Sequence, residues 1–475
     1  MPFSLDNPAV ATVSAGQASV VEQSARLHKD LGLLDLTLTQ ILFVVGLPWV
    51  GVAAKQGSAH VVYWLAAILF FYLPSAAIVI HLNRQTPLEG GLYQWAKLGF
   101  GELIGFLVAW NLWLFAILNT SETGLQVTQY FRYVLGPEGE WLTADRRFVV
   151  LVSTAIFTAL VIVTIRGLSV GKWVHTIGGA LMLTTFAMLI ALPWLNVAHG
   201  TLPAFQPLAT TMPVMSILSL NIAAKMGFGA LGGFEYVAIH AGECRNPERT
   251  IARSVALAAP IIALMFILGT SSVLALVPIN DIDLIAPIPQ VLARGFSAFG
   301  GASVVATITI VVLLCIRLAQ ASVMFAGNTR LPMVAGWDGL LPRWFTRLHE
   351  RYQTPVNSIV FVGAVTLGFS VVGLIGVGKQ EAFQLLWNAS GIFYGLTYLV
   401  MFALAIADRR ARLWLRIAAL SGFGATLLFV VISILPIVQV QSRIAFATKI
   451  TAVIGIANAI GIALFKGSTS RSGKS

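Results

Sequence analysis

The chain has 475 residues, of which 57% are hydrophobic and only 10% are charged, whereas about a quarter of the residues of a soluble domain are charged. This composition excludes a soluble globular protein and indicates a single membrane domain. The net charge of +11 is spread along the chain without zinc-finger spacing, so nucleic-acid binding is excluded. The two isolated cysteines, Cys244 and Cys315, exclude a disulfide framework.

Apolar runs separated by turns or charges predict twelve membrane-spanning helices, which we number span 1 to span 12. Their predicted bounds are 33–54, 61–82, 101–131, 148–165, 173–195, 213–241, 254–277, 302–328, 356–376, 382–406, 412–436 and 446–465. Residues 1–25 lack the pattern of a signal peptide, so we expect a flexible cytoplasmic tail there. We expect a second cytoplasmic tail at 466–475.

Most of the 30 lysine and arginine residues fall in loops and ends on one side of this arrangement. The positive-inside rule therefore predicts that both termini lie in the cytoplasm, with the chain in a bacterial-type inner membrane. The longest loop on the opposite side, 278–301, has room for a short helix.

Two spans contain residues that interrupt a helix. Span 1 carries the run Gly46-Leu47-Pro48-Trp49-Val50-Gly51 near its middle, and span 6 carries Gly227, Gly229, Gly232 and Gly233. Gly costs about 1 kcal/mol and Pro about 3 kcal/mol in a helix interior, and freed backbone at membrane depth must line protein or a watery cavity. Since the breaks are five spans apart, the segments 33–195 and 213–406 are predicted to be inverted repeats with a binding site between them.

Four charged residues fall well inside predicted spans, namely Glu122, Lys225, Glu235 and Arg317. A charge at the centre of a membrane helix costs at least about 2.5–3.5 kcal/mol unless it is paired or wet. We therefore expect these side chains to face the interior, either in coupling and gating or as static salt bridges between helices. Glu235, just after the glycines of span 6, is the first candidate for a functional role.

Three segments near the ends of spans resemble those of the amino acid-polyamine-organocation (APC) transporter superfamily. They are PLEGGLYQWAKLGFG at 87–101, GGFEYVAIHAGECRNPERT at 232–250, and GWDGLLPRWF at 336–345 with RYQTPVN at 351–357. The first is similar to the family's Pro-x-x-Gly-Gly-x-Tyr loop, the second to its Gly-Phe-Glu and Glu-x-x-Asn-Pro-x-Arg segment, and the third to its loop after span 8. The resemblance covers about residues 26–406, whereas spans 11 and 12 match by hydropathy alone.

The resemblance implies an amino acid permease-like protein with the LeuT-type 5+5 inverted-repeat fold and broken helices 1 and 6. It implies a ten-helix transport core at 26–406 and two peripheral helices at 407–465, with the substrate's carboxylate and amine held at the two breaks. The substrate-binding candidates carried over are Gly46, Leu47, Pro48, Trp49, Gly51, Gly229, Ala230, Gly232, Gly233 and Phe234.

The sequence departs from the family at two places. The usual Gly-x-Gly of span 1 is Gly46-Leu47-Pro48 here, and Pro48 has no N–H to offer an anion. The span 5 lysine of some sodium-independent members is absent, with Leu181 and Met182 near its expected place. The manner in which a carboxylate is held and the coupling ion therefore both stay open.

Other residues carry two interpretations each. Trp49 and Phe234 flank the breaks and act either as lids over the substrate or as ordinary packing residues. The turn after span 6, which contains Glu243 and Arg245, is expected to be a solvated face or helix cap with a structural or gating role. Weaker candidates for lining a pocket are Asn119, Thr120, Ser121, Gln320, Ser322, Trp387, Asn388 and Ser390.

The leading interpretation is a secondary transporter, working by uptake or exchange, for amino acids or related small organic solutes. The alternatives are a carrier of polyamines or other organic cations, and a membrane sensor built on a transporter fold. We expect a small-molecule substrate, contact with membrane lipid and coupling to H+ or Na+ or to neither, without a cofactor, a metal site or nucleic acid. The chain has no Walker loop, His-Glu-x-x-His or Gly-x-Ser-x-Gly motif, so an enzyme is not expected.

Overall fold

The computed structural model describes residues 22–24, 27–139, 141–283, 287–300, 302–372, 379–435 and 442–472. Within these ranges the chain is helical and contains no β-strand, which confirms the predicted all-α fold. Most of the predicted tail at 1–25 and the predicted end of span 9 at 373–376 lie outside the described residues.

The helices follow the predicted spans in order. Span 1 consists of Leu33–Val44 and Trp49–Ala54, span 2 of His60–Ala67 and Leu73–Gln85 joined by a π-helical turn, span 3 of Glu102–Ser121 continued by Thr123–Leu135, span 4 of Arg146–Ile165 and span 5 of Leu168–Ala198. Span 6 consists of Ile217–Ala224, the π-helical turn Lys225–Gly229 and the 3₁₀ helix Phe234–Glu243, and span 7 is Pro247–Leu276. Spans 8 to 12 are Ala302–Trp337, Val356–Val372, Lys379–Ala407, Leu413–Ile432 and Arg443–Ser472. Short helices at Leu92–Phe100, Trp141–Ala144 and Pro287–Phe296 lie in loops, the last of them in the loop where a short helix was expected.

In the described part of the chain, ten helical stretches are long and apolar enough to cross a membrane. They correspond to predicted spans 2–8 and 10–12. The positions of spans 1 and 9 are taken by the shorter apolar helices Leu33–Val44 and Val356–Val371. A 12-residue helix rises only about 18 Å, so the first half of span 1 covers little more than half of a hydrocarbon core of about 30 Å.

Contacts between loops give the bundle two distinct sides. On one side, the N–H of Gly90 in the loop between spans 2 and 3 donates to the carbonyl of Ile239 at the end of span 6, at 3.1 Å. Lys97 pairs there with Asp338 after span 8, at 2.7 Å. We call this the basic side, because the arginine-rich loops after spans 8 and 10 also lie there. The end of span 5 and the loops after spans 1 and 7 contact one another on the opposite side, so the loops joined by these contacts lie on the sides that the predicted alternation assigns to them.

The core of the bundle lies around the two broken spans. The first half of span 1 packs against spans 5, 7 and 8, and the 3₁₀ helix of span 6 packs against spans 1, 7 and 8. Span 10 packs against spans 3 and 11, while span 12 contacts spans 3 and 10 and is the least buried of the ten long stretches. Spans 1 and 6 are therefore held inside a scaffold of other helices.

Spans 8 and 12 extend furthest beyond their predicted C-terminal ends. Span 8, predicted to end at 328, continues through Arg330, which is 1% exposed inside the helix. The charge does not end the helix because Glu243 pairs with the guanidinium at 2.6 Å. Span 12 continues to Ser472, through residues that were assigned to the second tail.

Candidate functional site

The break in span 1 spans Val45 to Pro48. The helix ends at Val44, Val45 is extended, and the second half-helix starts at Trp49 with Pro48 as its N-cap. Within the described chain, the N–H groups of Gly46 and Leu47 have no hydrogen-bond partner. Leu47 is buried and Gly46 is half-buried, and a buried N–H without a partner is rare because it costs about as much as a lost hydrogen bond. The break therefore presents two donors, although Pro48 contributes none.

The predicted stretch 46–51 is wider than the observed break. Gly51 lies inside the second half-helix and not in the break. A Cβ at Gly51 would stand 2.9 Å from the Pro287 side chain, so this glycine serves the packing of span 1 against the loop helix Pro287–Phe296. Of the span 1 candidates, Gly46, Leu47 and Pro48 form the break, and Trp49 follows it directly.

The break in span 6 is centred on Gly232 and Gly233. Gly229 and Ala230 still belong to the preceding helical turns, and the 3₁₀ helix starts at Phe234. Gly233 has a φ of +136°, which an L side chain rarely adopts. Its N–H donates to Tyr398 Oη at 2.7 Å. The interrupted helices 1 and 6 are thus confirmed, and the break of span 6 lies at the last two of its four predicted glycines.

Two glutamine amides satisfy carbonyl groups freed at the breaks. Gln40 Nε2 donates to the Gly233 carbonyl at 2.9 Å. Gln320 Nε2 of span 8 donates to the carbonyls of Leu42 and Val45, both at 2.9 Å. Since unpaired polar groups are costly at membrane depth, these side chains stabilise the unwound backbone.

Trp49 lies between the two breaks. A Cβ at Gly46 would stand 2.5 Å from Trp49 Cδ1, and a Cβ at Gly229 would stand 2.8 Å from Trp49 Cη2. The indole is half-buried, and its centroid is 6.4 Å from that of Trp387 on span 10. Pro48 is exposed although its neighbour Leu47 is buried. Trp49 therefore lies between the break of span 1 and the helical turn that precedes the break of span 6.

Phe234, the other predicted lid, is fully buried. Its ring stacks on Tyr72 of span 2 with 4.7 Å between centroids. This placement is that of a packing residue, which was the second of its two interpretations.

Glu235 is fully buried and held by two tyrosines of span 10. Tyr394 donates to Oε1 at 2.5 Å, and Tyr398 donates to Oε2. Because Tyr398 also accepts from the N–H of Gly233, one hydroxyl links the backbone break of span 6 to the carboxylate and to span 10. The carboxylate is thus tied to span 10 through both of its oxygens.

The other three charges of the membrane interior do not pair with Glu235. Arg317 donates to Thr123 Oγ1 at 3.3 Å and approaches the Asn119 carbonyl at 3.5 Å, so it lies beside the segment of span 3 that contains Glu122. Lys225 starts the π-helical turn of span 6 and is 5% exposed. Among the described residues, none of these charges forms an ion pair within 4.0 Å.

A polar network, which we call the latch, lies on the basic side, and all of its members except Lys29 are buried. It consists of Lys29, Glu89, His240, Glu243 and Arg330. Glu243 Oε1 pairs with Arg330 Nη2 at 2.6 Å, and Glu243 Oε2 contacts His240 Nδ1 at 2.9 Å. Glu89 Oε2 accepts from the Gly242 N–H at 2.6 Å, while Lys29 donates to the Gly242 carbonyl. The latch therefore joins the segment before span 1, the loop between spans 2 and 3, span 6 and span 8.

The interpretation of the turn after span 6 as a solvated face is wrong for Glu243. Its side chain is only 5% exposed, because Arg330, in the interior of span 8, supplies the charge that makes burial tolerable. Sequence spacing gave no sign of this partner, which lies 87 residues away.

The latch also brings three ligand-type side chains together. The side-chain ligand atoms of Glu89, His240 and Glu243 all lie within 4.8 Å of one another. Arg330 bonds both oxygens of Glu243, and Lys29 lies against Gly242, so two resident cations already lie beside these acidic groups. This arrangement favours an ion-pair network over a metal site.

Several residues of these networks were not among the sequence candidates. They are Gln40, Glu89, Tyr394 and Tyr398. The spacing of Tyr394 and Tyr398 puts both hydroxyls on one face of span 10, and Gln40 is polar within an apolar helix, so both signals were present. Their partners were not readable, since each lies more than 150 residues away.

Comparisons with known proteins agree with this geometry. The model of a family described as amino acid permease matches residues 31–459. An uncharacterized transporter of Legionella pneumophila is 24% identical over 386 residues, which cover 81% of this chain and 82% of the relative. The low-affinity putrescine importer PlaP of Escherichia coli is 26% identical over 352 residues, covering 70% and 73%. The crystal structure of MhsT in complex with L-phenylalanine superposes with a TM-score of 0.60 at 13% identity, covering 85% of this chain and 98% of MhsT; this likeness shows the shared fold with its inverted repeat.

Proposed function

The chain belongs to the amino acid permease family of multi-pass membrane transporters, and on that premise we propose that it carries amino acids or related small organic solutes by alternating access. Family members are carriers and not enzymes, so the site is one that binds and releases an unchanged solute. The proposed location is the bacterial inner membrane, with both termini and the basic side in the cytoplasm.

The observation that carries this proposal is the pair of unpaired N–H groups at Gly46 and Leu47. They lie next to Trp49 and the exposed Pro48, and a carboxylate accepts from such donors in short, charge-assisted hydrogen bonds. A substrate with a carboxylate would therefore satisfy backbone groups that the protein leaves without partners. Gly46, Leu47, Pro48, Trp49 and Gly229 are the residues we assign to the substrate.

The remaining span 6 candidates stabilise the break of span 6 and are not assigned to substrate contact. Gly232 and Gly233 form the break whose polar groups Tyr398 and Gln40 satisfy. Glu235 braces this break through span 10, and we assign it to gating rather than to substrate contact, because both of its oxygens are occupied by tyrosine hydroxyls.

The latch supports alternating access. It closes the basic side, while exposed Pro48 and half-buried Trp49 and Gly229 leave the break accessible. Release to the basic side requires the pair between Glu243 of span 6 and Arg330 of span 8 to separate, since it ties a broken helix to the scaffold.

A polyamine carrier is the second candidate, and it is favoured by the similarity to a putrescine importer. A polyamine needs carboxylates that are free to meet its amines. Both oxygens of Glu235, the acidic residue beside the break of span 6, already accept from tyrosine hydroxyls. These contacts favour a substrate that carries its own carboxylate.

The test is uptake and counterflow by purified protein in sealed vesicles, with labelled amino acids, the matching decarboxylated amines and polyamines. We expect accumulation or exchange of at least one amino acid and none of its amine. Transport of polyamines alone would replace the leading proposal with the second candidate. Stabilisation by a ligand that is never transported would indicate the sensor.

A further inference from the structure

The carbonyl groups of Leu42 and Val45 mark the end of the first half-helix of span 1. Because the helix stops at Val44, neither carbonyl has an N–H of a following turn to accept from. Both belong to the negative end of the half-helix dipole. Both also point to one atom, Gln320 Nε2, which lies 2.9 Å from each.

Converging carbonyl oxygens at the end of a broken half-helix form an environment for a cation. Hard cations prefer oxygen ligands, and in carriers with broken helices the unwound carbonyls and half-helix C-termini coordinate the coupling ion. Here the N–H groups of the Gln320 amide take the place of a cation, because they bring positive partial charge to the two carbonyl oxygens. A primary amide has two N–H donors, and each carbonyl receives one of them.

The neighbourhood of this point also disfavours sodium. Gln320 follows Arg317 by three residues, so the guanidinium lies one helical turn away on span 8. Arg317 is held there by Thr123 on span 3. In the described chain, the hydrogen bonds of Gln320 are those to Leu42 and Val45, and no carboxylate joins them. Sodium therefore does not fit at the end of the first half-helix.

We propose that the amide of Gln320 stands in for a coupling cation at the break of span 1, so that this carrier moves its substrate without sodium. The proposal deepens the proposed transport function and rests on it for its consequence in uptake. It also predicts how the purified protein binds sodium in the absence of substrate. Replacing the amide with a carboxylate turns the point where two carbonyls meet into a site that recruits sodium.

Gln320→Glu tests this claim with little change in shape. Its carboxylate faces two carbonyl oxygens, and the repulsion is relieved by a bound cation. We expect the melting temperature of the purified variant to rise by about 2 °C or more in sodium chloride relative to choline chloride. The wild-type protein and the matched control Gln320→Leu, which removes the donors without adding charge, should show no such difference.

The second measurement is uptake by the wild-type protein with sodium, potassium or choline outside the vesicles. We expect initial rates within about twofold of one another. A tenfold loss without sodium would overturn the proposal, and so would stabilisation of the wild-type protein by sodium. Equal sodium responses of Gln320→Glu and Gln320→Leu would also overturn it. The melting experiment needs no substrate. It therefore tests the role of Gln320 even if the protein transports none of the solutes tested.

Discussion

Trp49 and Gly229 fit against each other so closely that a Cβ on Gly229 would stand 2.8 Å from Cη2 of the indole. Real Cβ atoms essentially never come that near to another heavy atom, so the indole needs a glycine at this position. The contact joins the residue that follows the break of span 1 to the helical turn that precedes the break of span 6. A movement of one broken helix therefore changes its contact with the other.

Gly229→Ala is expected to reduce transport at least tenfold, because the added methyl group pushes the indole into the space beside the break. Gly227→Ala is the matched control. It lies on the same π-helical turn, and its Cβ would meet only Ala67, at 3.9 Å. Initial uptake rates of both variants, normalised to protein in the vesicles, make the comparison. Equal rates for the two variants would remove Trp49 from the substrate site.

The sequence predicted the breaks well because their cause is local. Gly and Pro weaken a helix wherever they stand, so Gly46-Leu47-Pro48 and Gly232-Gly233 were readable from residue type alone. The prediction also placed Gly51, Gly229 and Ala230 at the breaks, but these residues are helical. A glycine that admits a neighbouring side chain looks the same in a sequence as one that ends a helix.

The partners of the buried charges were not predictable from one sequence. We expected the charges inside the spans either to pair with one another or to act in coupling, yet Glu235 bonds tyrosines and Glu243 pairs with Arg330. Hydropathy fixes the depth of a residue but not the face of the helix that meets a given neighbour. Pairs such as Gln40 with Gly233, 193 residues apart, depend on how the whole bundle packs.

Tyr398→Phe is expected to destabilise the protein more than Tyr394→Phe. Losing the Tyr398 hydroxyl leaves both the Gly233 N–H and one oxygen of Glu235 without partners, whereas losing that of Tyr394 affects Glu235 alone. A buried polar group left unpaired costs about 1–3 kcal/mol, so the two variants should differ by about that much. Their melting temperatures in one detergent give the comparison. Equal melting temperatures would show that Tyr398 does not hold the break.

Arg330→Met is expected to open the basic side. Removing one partner of a buried pair costs about 3–5 kcal/mol, and that cost falls on the closed state, in which Glu243 is buried. Cys244 is a built-in reporter, because it follows Glu243 and is 2% exposed. Burial raises the pKa of its thiol, which further suppresses its reaction with maleimide. In a Cys315→Ser background, we expect Cys244 to be labelled at least tenfold faster in the variant.

The control for this opening is Arg343→Met, which removes an exposed arginine from the loop after span 8 on the same side. It changes the net charge equally but leaves the latch intact. We expect its labelling rate to match that of the Cys315→Ser background. If both arginine variants label alike, the pair between Glu243 and Arg330 does not close this side.

Glu89 gives the latch a dependence on pH. It lies in the loop between spans 2 and 3, fully buried, and faces Glu243 on span 6, Arg330 on span 8 and Lys29 before span 1. Burial is the main cause that raises the pKa of Glu89 well above its usual value, and the charge of Glu243 raises it further, against the opposing effect of Arg330. Its protonated form still has a carbonyl oxygen to accept from the Gly242 N–H.

A pKa that is higher in the folded protein than in the unfolded chain means that the folded state binds the proton more tightly. The stabilisation from Glu89 is therefore complete below the unfolded pKa and is lost as the pH rises through the folded one. We expect the melting temperature of the wild-type protein to fall from pH 5 to pH 8 by more than that of Glu89→Gln, whose amide keeps the acceptor and cannot titrate. Glu102→Gln, at an exposed position, should keep the wild-type profile. Identical profiles for the wild-type protein and Glu89→Gln would show that Glu89 does not titrate in the latch over this range.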